Sequence, residues 1–217
     1  VGMFLAVPGM VPVHILLLGN LGIALVAGAG AVCNHLIDRK IDLKMKRTQN
    51  RPLPQGRVGA KQTIIFALAI GLSGMSILLF WVNPLCAWLT LSSFVGYAFI
   101  YTGYLKHATP QNIVIGGLAG AMPPLLGWSA VTGTIEPGAV ILVLIIFAWT
   151  PPHFWALAIH RKDEYAKSGV PMLPVTHGEQ VTKLHIIFYT GILIVVSSMP
   201  YFVKMSGGFY LTSAMLL

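Results

Sequence analysis

The sequence predicts an all-α, polytopic transmembrane helical bundle, and three observations carry that prediction. Hydrophobic residues fill 56% of the 217 positions and charged residues 9%, with a mean hydropathy of +0.78, whereas a soluble domain carries ~25% charged residues. Apolar runs of roughly 20 residues, the length that crosses a bilayer, recur along the chain. The runs lack the alternation of a barrel, and lipid demands internal partners for every backbone group, so helices are the expected solution.

The elements follow in order. Residues 1–7 read as the tail of one span, closed by Pro8, Gly9 and Pro12. A second span, about 13–36, is rich in Gly and Ala, which lets helix backbones approach closely in a bundle. It ends in Asn34, Asp38 and Asp42, followed by a polar loop to about 59 with Pro52, Pro54 and Gly56 as breakers. Spans at about 62–82 and 85–103 come next, the latter finishing in aromatic residues suited to a membrane interface. The span at 112–132 contains Pro123-Pro124 and the span at 138–160 contains Pro151-Pro152, pairs expected to bend or break their helices. A second polar loop, 161–183, leads to a span at 184–204 and a partial one at 209–217, and no domain boundary interrupts 1–217. Cys33 and Cys86 have no metal spacing and read as buried thiols.

The net charge of +8 has a topological meaning. Nucleic-acid binding needs a soluble basic face, which this composition excludes. Every Lys and Arg except Lys204 falls in the segments 39–61, 106 and 161–183. An even number of spans separates these segments, so they share one face, and their positive excess predicts a cytoplasmic one. No basic stretch precedes an apolar one at the start, so no signal peptide is expected.

Asn34, Asp38 and Asp42 recur every four residues. On a helix, at about 100° per residue, they form one ladder rising ~6 Å per step. Such a ladder can grip Mg²⁺, which favours a few carboxylates with waters and phosphate oxygens, while nearby cations hold the remaining phosphate charge. The competing reading is a solvated helix end neutralised by Arg39, Lys40 and Lys46. Against it, Asn34 lies a turn deeper in the apolar run, where an unpaired amide is costly.

These residues resemble the first motif, NxxxDxxxD, of the UbiA superfamily of intramembrane prenyltransferases, and Arg47-Thr48-Gln49-Asn50-Arg51-Pro52-Leu53 fits the RTxxRPL that follows it. Within the superfamily, residues 101–128, 150–159 (TPPHFWALAI) and 161–175 most resemble the protohaem IX farnesyltransferase branch. The resemblance covers nearly the whole chain. Members of that family are longer, with a Lys-Pro entry to the first helix and further C-terminal spans, so the chain is expected to be truncated at both ends.

The resemblance implies a UbiA-like bundle around a central cavity and transfer of a farnesyl group from farnesyl diphosphate to a vinyl group of haem B. Asp38 and Asp42, with Asn34 assisting, would hold Mg²⁺ against the diphosphate, and Arg47, Arg51 and Lys106, with Arg161 and Lys162, would clamp its oxygens. Asp163 either joins the metal or orients Arg161 or Lys162. Many superfamily members carry a second DxxxD there, whereas this chain has Asp163-Glu164 and then Lys167. Tyr101 and Tyr104 are candidates for the cavity wall or for an interfacial belt. His153 is a candidate haem contact, or else a buried histidine hydrogen-bonded within the bundle. The implied setting is a bacterial cytoplasmic or mitochondrial inner membrane, with the motif loops on the cytoplasmic or matrix side. Association with haem A synthesis or terminal oxidase assembly is a further implication.

Four other readings compete, of which a structural or assembly membrane protein offers no reason for the ladder. A UbiA-type enzyme with an aromatic or quinone-precursor acceptor differs only in acceptor. A CDP-alcohol phosphotransferase would need a DGxxAR element, which is absent. A transporter, with broken helices around Pro123 and Pro151 lining a path, would place charge near the midplane, whereas here the charge gathers at one face.

Overall fold

The computed structural model describes residues 1–216, apart from the His107 side chain. Six helical rods in it are long and apolar enough to cross a membrane: Val13–Asp42, Ala60–Val82, Pro84–Leu105, Asn112–Thr132, Pro137–His160 and Gly178–Phe202. The chain is an integral membrane protein. Leu72, Phe80, Ile187 and Phe188 are among the large apolar side chains left on its surface, as expected where lipid is the solvent.

A short helix, α1 (Gly2–Leu5), packs against a later one through Gly2, where a Cβ would lie 2.3 Å from the Pro124 carbonyl oxygen. Pro12 precedes α2 (Val13–Asp42), which runs 30 residues with no internal proline. Of its buried residues, Gly22, Val26 and Ala29 face the rod that begins with α3 (Ala60–Ile77), while Gly19 meets Met3 and Ala130. The two backbones nearly touch: a Cβ on Gly74 would stand 2.8 Å from the Gly22 carbonyl oxygen. In a membrane, close packing of this kind does the work that the hydrophobic effect does in water.

The next two rods change pitch. After Ile77 the chain widens into a π-helical turn, Leu78–Val82, and stops at Asn83. Asn83 caps α4 (Pro84–Val95), accepting from the Cys86 amide at 2.9 Å while donating to the Ser129 carbonyl at 2.8 Å. After α4 the helix opens again into a π-helix over Gly96–Leu105, and α5 (Lys106–Ala108) ends the rod. The apolar and aromatic composition of these spans did not foretell either widening.

The two proline pairs behave differently. The first breaks its rod into α6 (Asn112–Ala121) and α7 (Pro123–Thr132), with Pro123 at the first helical position, where no amide is needed. The second lies inside an unbroken α8 (Pro137–His160), contrary to the expected break. Thr150 donates to the Ile146 carbonyl at 2.7 Å, and close packing of Gly117 on Thr150 holds the segment in register.

The second polar loop is also more ordered than its composition predicts. It contains α9 (Lys162–Ser168) and α10 (Leu173–Thr176), and α11 (Gly178–Phe202) starts six residues before the expected span. Val170, Met172 and Leu173 are buried with Ile113 of α6 and Trp155 of α8, and Ile41 of α2 packs against them. Three polar segments distant in sequence therefore meet at one end of the bundle. At the other end, α12 (Gly208–Leu216) follows α11. Cys86 is buried and Cys33 half-buried, so the second thiol is more open than expected.

Candidate active site

The last two turns of α2 carry Asp38 and Asp42, buried at 3% and 4% exposure. Carboxylates so placed need compensating charge, and each has one cation. Lys106 Nζ lies 2.5 Å from Asp38 Oδ2, and Arg51 Nη1 lies 2.8 Å from Asp42 Oδ2. Asn34, one turn deeper, donates from Nδ2 to Asp38 Oδ2 at 2.9 Å and to Thr102 Oγ1 at 3.1 Å.

Local folding accounts for both cations. The chain leaving α2 turns back under itself: Thr48, 1% exposed, donates to the Asp42 carbonyl at 2.9 Å, which brings Arg51 within reach of the carboxylate nine positions earlier. Lys106 follows the π-helix directly, and Asn112, wholly buried, donates from Nδ2 to the Lys106 carbonyl at 3.1 Å. The lysine is thus fastened between two rods.

The same π-helix supplies aromatic walls. The rings of Tyr97 and Tyr101 stack with centroids 5.9 Å apart and planes 21° from parallel. Tyr97 lies over Gly30 of α2, where a Cβ would be 3.5 Å from its ring, and Tyr101 lies over Gly116 of α6, where a Cβ would be 2.3 Å from its ring. The stack therefore bridges α2 and α6 beside the ladder.

The donor set suits a hard cation. Asp38 Oδ1 is buried and receives no protein donor among the described residues. No group of three or more His, Cys, Asp or Glu gathers among the described residues. Two carboxylates and an amide suit Mg²⁺, which completes its shell with waters and substrate phosphate rather than with a protein cage.

The remaining candidates are spread more widely. Arg47 is exposed on the first loop and Arg161 half-buried between α8 and α9. Lys162 faces Glu179 at 3.8 Å. Asp163 is exposed, and it pairs with neither Arg161 nor Lys162 among the described residues. Tyr104 is 68% exposed, unlike Tyr101. His153 departs from the buried, hydrogen-bonded alternative: it is exposed and stacks on Trp149, rings 4.2 Å apart and 19° from parallel, with Phe154 edge-on at 5.3 Å. Proline at 151 and 152 does not bury this face; it leaves Trp149 and His153 one turn apart on the same side.

Two residues that the sequence reading did not single out belong to this region, Tyr97 and Thr102, and a third, Trp149, stacks on His153 of α8. The spacing of Trp149 to His153 is an ordinary helical one and was available in the sequence. Thr102 and Tyr97 depend on the π-helix, whose wider turn places Thr102 opposite Asn34.

The chain is 65% identical to a protein named protoheme IX farnesyltransferase from Saccharophagus degradans, over all of this chain and 72% of that relative. It is 63% identical to a protein of the same name from Stutzerimonas stutzeri, over all of this chain and 73% of the relative. The fold matches that of a digeranylgeranylglyceryl phosphate synthase with a TM-score of 0.82 at 22% identity, covering 99% of this chain and 75% of the other. A UbiA homologue from Archaeoglobus fulgidus, bound to DMAPP and Mg²⁺, matches with a TM-score of 0.76 at 15% identity, covering 99% and 75%. The model of the UbiA prenyltransferase family spans residues 1–217, and the chain belongs to that family.

Proposed function

We propose that the protein transfers a farnesyl group from farnesyl diphosphate to a vinyl group of haem B, giving haem O. The observation that carries this reading is the buried ladder itself, in which Asp38 pairs with Lys106 and keeps one unpartnered oxygen while Asp42 pairs with Arg51. Relatives of the stated name match along the whole chain at 60–65% identity. Its proposed seat is the bacterial cytoplasmic membrane, with the loops after α2 and α8 on the cytoplasmic side by the excess of Lys and Arg. Its product would serve haem A synthesis or terminal oxidase assembly.

Asp38 and Asp42, with Asn34, are the residues that would hold Mg²⁺. When bound, that ion neutralises charge growing on the diphosphate as it leaves. Lys106 and Arg51 stand on the carboxylates and are placed to pass to the diphosphate oxygens, joined by Arg47 and, from the second loop, by Arg161 and Lys162. Asp163, in the first turn of α9, would join the Mg²⁺ from the second loop or orient Arg161 or Lys162. The C–O bond of farnesyl diphosphate breaks and its electron pair goes to the diphosphate. The allylic cation would be kept from water by the aromatic wall of Tyr97 and Tyr101, and the electron-rich vinyl group attacks it. Water adds to the resulting cation and loses a proton, which completes the hydroxyethylfarnesyl side chain. Trp149 and His153 present a flat aromatic step suited to the acceptor macrocycle, and Tyr104 borders the interface.

Membranes containing the protein, given haem B, farnesyl diphosphate and Mg²⁺, are expected to yield a more apolar haem by reverse-phase chromatography. Prenylation of an added hydroxybenzoate or naphthoate, with haem left unchanged, would instead establish the aromatic-acceptor reading.

A further inference from the structure

We propose that Thr102 is the positioning residue that sets the Asn34 amide with its carbonyl oxygen free for the divalent cation. The inference rests on the reading of the ladder as a cation and diphosphate site, and it adds a residue from a different rod to that site.

The argument is one of donors and acceptors. Thr102 is 0% exposed, so its hydroxyl cannot exchange partners with water. It has a single proton, which it donates to the Tyr97 carbonyl at 2.9 Å, an atom that can only accept. Its oxygen is left as an acceptor toward Asn34, so Asn34 must present its NH₂ group. The second N–H of that group goes to Asp38 Oδ2. Both amide hydrogens are then used, and Asn34 Oδ1 has no hydrogen bond among the described residues. The flipped amide would set oxygen against oxygen at both contacts.

Asp38 is arranged by the same economy. Its Oδ2 receives Asn34 and Lys106, and its Oδ1 receives nothing. Two oxygens one helical turn apart, Asn34 Oδ1 and Asp38 Oδ1, therefore remain free together. The π-helix is what permits this, because Thr102 bonds the carbonyl five residues back while Lys106, at the end of the same segment, reaches Asp38. Departures of this kind from α-helical pitch often mark functional sites, and partners that orient a ligand set its metal affinity.

The test is Mn²⁺ binding, followed by electron paramagnetic resonance, with farnesyl thiodiphosphate present and no haem. Thr102→Val keeps the shape and removes the hydroxyl; it is expected to weaken Mn²⁺ by about 10- to 100-fold, while Thr102→Ser binds as the unaltered protein does. Thr102→Ala against Thr102→Ser makes the same comparison should the valine variant not accumulate. Equal Mn²⁺ affinity with and without the hydroxyl, or a serine variant as weak as the valine one, would overturn the role of Thr102 alone. Failure of the unaltered protein to bind Mn²⁺ with the analogue would overturn the cation and diphosphate reading, and this role with it.

Discussion

Lys106 and Asp38, 68 positions apart in sequence, meet at 2.5 Å, and the contact ties the α4 rod to the end of α2. The lysine side chain is 18% exposed and the aspartate 4%, so removing the cation leaves a nearly dry carboxylate unpaired. Loss of one partner of such a pair costs about 3 kcal/mol, the lower end of the usual range because the lysine is partly wet. Lys106→Met is expected to lower the melting temperature in detergent. Adding Asp38→Asn should recover most of that loss, and simple additivity of the two changes would show that the pair is not coupled.

Thr48 plays a quieter part. Its hydroxyl is buried against the Asp42 carbonyl, and it shapes the turn that returns Arg51 to Asp42. Thr48→Val is expected to cost about 1–2 kcal/mol, the loss of a buried hydrogen bond. In kinetics it should raise KM for farnesyl diphosphate more than it lowers kcat, because the guanidinium is misplaced and the carboxylates are not. A pure fall in kcat would contradict that assignment.

Chelation should separate folding from turnover. Both ladder carboxylates already carry protein cations, so the fold does not depend on a metal for their neutralisation. EDTA is therefore expected to abolish farnesyl transfer and leave the melting temperature unchanged. Mg²⁺ with farnesyl diphosphate should raise it, by about 2.7 kcal/mol of added stability at a hundredfold excess over Kd. Collapse of the fold on chelation would show that Lys106 and Arg51 do not suffice.

How much of this was visible in the sequence depends on which period carried it. The ladder was legible because four-residue spacing on an α-helix puts Asn34, Asp38 and Asp42 on one face, and α2 runs straight through them. The shared face of the polar loops was legible from charge and parity, and Ile41, Ile113 and Leu173 meeting in one cluster gives it physical form. Thr102 was not, since Gly96–Leu105 reads as another apolar, aromatic helix until its pitch is known. His153 misled for a related reason. A histidine in an apolar run suggests burial, yet the stripe opposite Trp155 is open, and the ring lies on Trp149. Composition gives the average environment of a rod and not which of its faces is covered.

Glycines on α6 give the sharpest contrast of sign. Replacing a helical glycine by alanine ordinarily stabilises, by about 0.5–1 kcal/mol, because the unfolded chain loses freedom. At Gly120 nothing lies within 4 Å of the added Cβ, so Gly120→Ala should show that gain. At Gly116 the Cβ would stand 2.3 Å from two atoms of the Tyr101 ring, and Tyr101 is stacked on Tyr97, so the ring cannot simply swing aside. Overpacking costs about 1–3 kcal/mol, which exceeds the propensity gain. Gly116→Ala should therefore lower stability and also displace the aromatic wall beside the ladder, letting more farnesyl diphosphate be lost to water as farnesol. The ratio of farnesol to prenylated haem reads out that displacement. It should rise for Gly116→Ala and stay level for Gly120→Ala, because only the first change moves the ring that shields the cation.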